Sequence, residues 1–243
     1  VSEALTPGEF ARALQDKRNA ERRRRWWFRG GLAGALALVG LGVWLAFFST
    51  VFAAQQVSVT GVSLLTTDQV VTAAEVSMGE PLLTQDLGAV TQRVNDLPAV
   101  RSAEVSRQLP DTVVIEVTER TAAFLRERDG QYDWIDEEGV AFHRTASPGP
   151  QDLPATVAVV EDQQRLLADV ATVANHIPAD VRPAVVSISA EAVDRISLAL
   201  EGGRTVVWGS ADESELKADV VSALLSVEAT VYDVSAPGHP TTK

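Results

Sequence analysis

Residues 100–120 read VRSAEVSRQLPDTVVIEVTER. Ala103 and Val105 alternate with Ser102, Glu104 and Ser106. Beyond Leu109-Pro110-Asp111, Val113, Ile115 and Val117 alternate with Glu116 and Thr118. Alternation with a period of two marks strands that bury one face and wet the other, and Pro-Asp suits the turn between them. The stretch therefore reads as a hairpin, ending at Glu119-Arg120 where the chain leaves a module.

Upstream, Val57 and Val59 alternate with Ser58 and Thr60 up to Gly61, a short strand closed by a turn. Thr67 and Asp68 offer an N-cap for a helix carrying Val70, Val71 and Ala74. Met78-Gly79-Glu80-Pro81 breaks it. Thr84 is expected to cap a second helix, with Leu87, Val90, Val94 and Leu97 as one stripe and Pro98 as its end. The order over 55–120 is strand–helix–helix–strand–strand, and roughly 65 residues suffice for a small domain.

Downstream, Ala123-Phe124-Leu125, then Tyr132, Trp134 and Ile135, then Val140 and Phe142 read as strands. They are joined at Asp129-Gly130 and at Asp136-Glu137-Glu138-Gly139. Pro148-Gly149-Pro150 is a loop. Leu153-Pro154 precedes an expected strand over 157–160. Leu166, Val170, Val173 and Ile177 form a helical stripe stopped by Pro178. Strands follow over 185–189, 196–200 and 205–208, the last two linked by Gly202-Gly203. Asp212 or Ser214 caps a final helix with Leu216, Val220, Leu224 and Val227 on one face. Val231, Tyr232, Asp233 and Val234 close as a strand, and 236–243 is expected to be a flexible tail. The expected class is α+β: a mostly antiparallel sheet with flanking helices.

Upstream of both modules lies an uncharged stretch, 30–54. The chain's net charge is −12, and this stretch divides it unevenly: 1–29 holds 8 Lys/Arg and 4 Asp/Glu, a local +4. The remainder, 55–243, holds 13 Lys/Arg and 29 Asp/Glu, a local −16. About 20 apolar residues in a helix span a bilayer. The run is too long for a cleaved signal peptide, although Val51-Phe52-Ala53 has small-residue features of a cleavage site. An uncleaved transmembrane helix over 30–54 is expected, with 1–29 as a basic tail. Arg22, Arg23, Arg24, Arg25 and Arg29, with Lys17 and Arg18, place that tail in the cytoplasm. Trp26, Trp27 and Trp44 suit membrane interfaces, and Gly30/Gly34 with Ala33/Ala37 gives small-residue spacing. The acidic body argues against nucleic acid, whose binding needs excess positive charge. With no cysteine, disulfides and thiolate chemistry are excluded.

The hairpin resembles the V-x-x-A-x-V-x-R-x-x-P-x-T-[LV]-x-I-x-V-x-E-R run of the FtsQ/DivIB family of bacterial division proteins, carried here by Val100, Ala103, Val105, Arg107, Pro110, Thr112, Val113, Ile115, Val117, Glu119 and Arg120. The β-α-α-β-β order resembles a POTRA domain. The W-I-D-x-x-G-V-x-F run at 134–142 and Leu153-Pro154 continue the likeness. It implies a single-pass membrane protein: a POTRA module over 55–120, a β domain over 121–235, and most of the chain outside the membrane at the division septum. It implies a divisome scaffold that is not an enzyme and needs no cofactor or metal. It also implies a POTRA recruitment surface, expected at Arg107, Pro110, Glu119 and Arg120. The implied partners are small coiled-coil membrane proteins (FtsB/DivIC-like and FtsL-like), other septal membrane proteins including wall synthases, and lipid.

A physical route to such partners is strand addition at a sheet edge. The expected edge is the last strand, Val231, Tyr232, Asp233 and Val234, running to Ser235 and Pro237, where proline would stop further pairing. Tyr232 faces either the core or the partner. Two other readings remain: an outer-membrane POTRA assembly component, for which too few residues follow Arg120 to build a barrel, and a membrane-anchored wall hydrolase using Asp136, Glu137 and Glu138. Consecutive carboxylates on a turn diverge, which favours a solvated turn over the second. His143, His176 and His239 show no ligand spacing, and no nucleophile elbow or phosphate loop is present.

Overall fold

The computed structural model describes residues 26, 27, 29–45, 50–149 and 152–243. Residues 29–45 form helix α1, exposed along its length, with Leu32, Leu36, Leu38, Val39 and Trp44 all facing outward. Arg22, Arg23, Arg24 and Arg25 lie outside the described residues. Arg29 opens the described part of the helix and is exposed. The expected helix to Ala54 is corrected at its far end. Thr50–Phe52 is a 3-10 turn, Ala53 bridges to Pro81, and Ala54 is buried with its N–H on Glu80 O at 2.9 Å. Those two residues belong to the folded body because their backbone groups are satisfied there. Among the described residues, no helix is long and apolar enough to cross a membrane.

The first sheet has three strands in the order β1-β3-β2: β1 is Gln56–Thr60, β2 Val100–Gln108 and β3 Thr112–Glu119. In the central β3, Val113, Ile115 and Val117 are buried while Glu116 and Thr118 are exposed, as alternation requires. On β2 only Val100 is fully buried; Ala103 and Val105 are half-buried. Gly61 follows β1 at φ 81°, and a Cβ there would strike the Val117 carbonyl oxygen, so the turn takes only glycine. Two helices accompany this sheet, α2 (Thr67–Ala74) and α3 (Leu87–Asn95). Their caps differ from expectation. Thr66 Oγ1 accepts from Gln69 N (3.3 Å) while Gln69 Oε1 accepts from Thr66 N (2.8 Å), a reciprocal capping box one residue before Thr67. Asp86 caps α3 through Ala89 N at 3.0 Å, whereas Thr84 ends a 3-10 turn and donates to Pro81 O. An aspartate nearer the stripe takes the role that Thr84 would have had.

The second sheet has nine strands in the order β12-β11-β10-β9-β8-β7-β4-β5-β6. These are β4 (Phe124–Arg128), β5 (Gln131–Ile135), β6 (Ala141–Thr145), β7 (Pro154–Val157), β8 (Val185–Ala192), β9 (Arg195–Leu200), β10 (Thr205–Gly209), β11 (Val231–Asp233) and β12 (Thr241–Thr242). Pairs β4/β7, β7/β8 and β10/β11 are parallel and the other five are antiparallel. The strand expected over 157–160 lies three residues earlier, and Val159 is almost wholly exposed. Leu153 and Ala155 are buried there, so burial rather than the later valine run sets the strand.

Helix α4 (Gln163–His176) buries Leu166, Leu167, Val170, Ala171, Val173 and Ala174 in a core with Phe124, Ile188, Leu198 and Trp208. Asp162 caps it through Arg165 N at 3.2 Å. Gly139, in the Asp136–Gly139 turn, packs directly on this helix: a Cβ would sit 2.6 Å from Gln164 O. Helix α5 (Ser214–Leu224) corrects two expectations. Glu213 occupies its N-cap in a left-handed conformation with no side-chain cap bond, so neither Asp212 nor Ser214 caps it. Its buried residues are Ser214, Lys217 and Val221, while Leu216 is about half exposed.

By compactness the chain divides within the first sheet. The described residues up to Ser58 form one unit with Glu75–Val90 and Val105–Ile115. The other holds Val59–Ala74, Thr91–Glu104 and Glu116–Lys243.

Candidate partner-binding surface

At one end of the nine-stranded sheet, β11 lies parallel to the buried β10, with Tyr232 opposite Val206. Tyr232 is 1% exposed and its hydroxyl donates to Val227 O at 2.8 Å, so its ring is core. Val234 is fully buried and its N–H continues the ladder to Val207 O at 2.9 Å. Asp233 accepts from Ser235 N (3.0 Å) and Ser235 Oγ (2.7 Å), closing a turn after the strand.

Residues Val231, Tyr232 and Asp233 are not the sheet edge that was expected. A turn with His239 N on Ala236 O brings the chain back past Pro237, and Thr241–Thr242 pairs antiparallel with β11. Lys243 extends the pairing, its N–H on Val231 O at 2.9 Å and its carbonyl accepting from Val231 N at 3.0 Å. The tail 236–243 is therefore part of the fold, because β11's outward N–H and C=O groups find partners in it. Pro237 reverses the chain rather than ending the sheet. Among the described residues the edge on this side of the sheet is β12. In an antiparallel ladder alternate residues point their backbone groups outward, and here that residue is Thr242. A cleft of about 260 Å³ opens at the same end of the sheet, lined by Arg204, Val227, Glu228 and Tyr232 among others.

The structure places the residues expected on the recruitment surface as follows. Arg107 is exposed, yet its guanidinium donates to Leu82 O and Gln85 O, both at 2.7 Å, tying β2 to the 3-10 turn Leu82–Thr84. Pro110 is exposed in the β2–β3 turn. Glu119 accepts from the N–H groups of Ser63, Leu64 and Leu65 and from Ser63 Oγ at 2.7 Å. Burial pushes this carboxyl up, but those donors outweigh it and hold the group below the usual carboxylate range. Arg120 pairs with Asp136 and, at 3.1 Å, with Glu138. Of the four, Arg107 and Glu119 bond to backbone groups, Arg120 pairs with carboxylates, and Pro110 stands in the exposed turn.

The turn carboxylates of the hydrolase reading are similarly engaged. Asp136 Oδ1 accepts from Glu138 N and Val140 N, and Glu137 pairs with Arg101. His143 stacks edge-on against Trp134 at 5.0 Å, and His176 Nδ1 lies 2.7 Å from Thr172 O within its helix. His239 occupies the reversing turn. Among the described residues no group of three His, Cys, Asp or Glu could hold a metal.

Residues 52–120 match the family model for the FtsQ-type POTRA domain, and 123–235 match that for the C-terminal part of cell division protein FtsQ/DivIB. The cell division protein FtsQ of Streptomyces bingchenggensis is 36% identical over 219 residues, covering 85% of this chain and 82% of that protein. The chain belongs to the FtsQ family. FtsQ of Streptomyces venezuelae is 35% identical over 85% of this chain and 80% of its own length. FtsQ of Mycolicibacterium smegmatis is 35% identical over 84% of this chain, which spans 61% of that longer relative. For an FtsQ-type chain the fold agrees with the α+β expectation.

Sequence reading missed two buried charges. Asp133 on β5 accepts from Arg126 (2.6 Å) and Arg144 (2.5 Å) on the neighbouring strands. Lys217 on α5 is 1% exposed and donates to Ser210 O at 2.8 Å. The first was readable from hairpin register. The second lies on the face that α5 buries, beside the assigned stripe of Leu216, Val220, Leu224 and Val227, and carried no local signal.

Proposed function

We propose that this chain is a single-pass membrane scaffold of the division machinery, which holds partner proteins through its extracytoplasmic body at the septum. It is not a catalyst, and it works without cofactor, metal or nucleic acid. The basic tail lies in the cytoplasm, led by Arg22, Arg23, Arg24, Arg25 and Arg29, and α1 lies in lipid. Membership of the FtsQ family supports a role in cell division. The exposed apolar flank of α1 supports the lipid contact, since a helix apolar on all sides needs a non-aqueous environment.

The partners are small coiled-coil membrane proteins of the FtsB/DivIC and FtsL kinds, with wall synthases among the further septal contacts. The observation that carries the partner reading is the uncharged two-residue edge strand β12, backed by β11 with Tyr232 in the core. A partner strand adds outside Thr242 by main-chain hydrogen bonds, and the cleft beside Arg204 and Glu228 reads its side chains. Val231, Asp233, Ser235 and Pro237 support that edge. Pro110 displays the recruitment surface, while Arg107, Glu119 and Arg120 hold its shape.

Photo-crosslinking in dividing cells, from a benzoyl-phenylalanine at Thr242 and from one at Val186 on β8, tests this. The expected result is adducts to small membrane proteins from Thr242 and none from Val186. Equal labelling from both positions, or labelling from Val186 alone, would overturn strand addition at β12.

A further inference from the structure

Four large apolar side chains are exposed near the start of the first module: Val51 at 61%, Met78 at 53%, Leu83 at 44% and Leu109 at 61%. Scattered exposed leucines need no explanation, but grouped ones mark an interaction surface. These are grouped. Ala53 bridges to Pro81, and Gly79 N–H donates to Ala54 O at 2.8 Å. Gln55 N–H donates to Asp111 O at 2.8 Å. The loops bearing Met78, Leu83 and Leu109 thus close around the point where the chain arrives from α1. Arg107 fastens the same loops together through Leu82 O and Gln85 O.

Covalent geometry limits how far this rim can stand from α1. Between Leu45 and Ala53 the path includes the 3-10 turn Thr50–Phe52, so its full extension is at most about 24 Å. The rim therefore lies within that reach of the end of the apolar helix.

We propose that this rim rests on the outer membrane-water interface, with Met78, Leu83 and Leu109 dipping among the lipid headgroups. The inference rests on the reading of α1 as a membrane span. Its occupant is a lipid surface. Glu80, Asp86 and Asp111 border the rim, so zwitterionic headgroups fit it better than anionic ones. Affinity per side chain is small, but the span holds the rim at high local concentration, so modest contacts suffice. The consequence is a fixed height for the first module above the bilayer, with Arg107 acting as the brace that keeps both loops level.

The chain has no cysteine, so a single introduced thiol carries a unique spin label. The full chain is reconstituted in phosphatidylcholine vesicles as Leu83→Cys, Leu109→Cys, Val159→Cys and Leu38→Cys, and relaxation by oxygen is compared with that by a water-soluble nickel chelate. The expected oxygen-to-nickel ratio is several-fold higher at Leu83 and Leu109 than at Val159, which is exposed on the second module, and highest at Leu38 on α1. A ratio at Leu83 or Leu109 equal to that at Val159, with Leu38 in lipid, overturns the resting rim and leaves the span intact. A water-phase ratio at Leu38 overturns the span, and the rim with it.

Discussion

The two ends of the nine-stranded sheet are built differently. At the β4–β5–β6 end, charge holds the strands together. Asp133 stands opposite Arg126 on one side and Arg144 on the other, and bonds to both. Trp134 adds edge-on contacts to Phe142 at 6.1 Å and His143 at 5.0 Å. At the β10–β11–β12 end the buried partners are neutral: Trp208 Nε1 donates to Ser214 Oγ at 3.1 Å, and the Tyr232 hydroxyl to Val227 O. Charged side chains on an outer strand discourage strand addition. β6 carries Arg144 and His143, whereas β12 carries two threonines, with Lys243 following them. On the proposed function one edge is guarded and the other offered, and the difference in bonding matches that reading. Charge pairs fix register at the guarded end, while buried area supports the strands at the offered one.

If area holds the offered end, its largest single loss is Tyr232→Ala. Removing a fully buried ring leaves a cavity that collapses only partly, and the expected cost is about 3–5 kcal/mol. Urea unfolding of the full chain in detergent, followed by tryptophan fluorescence, measures it. Tyr232→Phe keeps the ring and loses only the bond to Val227 O, for about 1 kcal/mol. Equal losses in the two variants would mean that the hydroxyl, not the ring, supports β11.

The guarded end should break next most readily. Asp133→Asn leaves two guanidinium groups around a neutral amide, and Arg144 is half in water, so the expected loss is about 2–3 kcal/mol. Burial pushes the Asp133 carboxyl up, but Arg144 and Arg126 outweigh that and hold it below the usual carboxylate range. A depressed acid contributes stability that is complete above its unfolded pKa, about 4, and is lost as pH falls through its folded value. The gap between the parent and Asp133→Asn should therefore be widest at neutral pH and close in acid. A gap that stayed constant to low pH would show that the carboxylate's charge is not what binds the strands.

Register explains what was legible. Asp129-Gly130 is a two-residue turn, so Arg128 must face Gln131 and Arg126 must face Asp133. That pairing could be read from spacing alone, as could the hairpin at 100–120 and the α4 stripe. What could not be read depended on segments distant in sequence. Thr241–Thr242 has no apolar pattern and becomes a strand only because β11 offers it bonds. Ala53 and Ala54 look like the end of an apolar helix, yet the loop at Gly79 and Glu80 claims them. The proposed edge and the proposed rim both rest on such long-range pairing, so the site was less legible than the fold.

Lys217 is the exception at the neutral end, and it marks how far the contrast extends. Burial pulls its ammonium below the usual lysine range, and the Asp212 and Glu213 carboxylates only partly offset this. Its Nζ donates to Ser210 O. Lys217→Met keeps the flexible stem, removes a buried charge and leaves one carbonyl without its donor. These effects oppose one another, and the expected change at neutral pH is within about 1 kcal/mol. The pH dependence separates them. With a folded pKa below the unfolded one, the unfolded chain binds more protons across the interval between the two, so the parent gains stability as pH rises through it. Lys217→Met lacks that gain, and the parent should improve relative to it on the alkaline side. A loss as large as that of Asp133→Asn at neutral pH would mean the ammonium is held as firmly as the carboxylate, and that both ends of the sheet depend on charge.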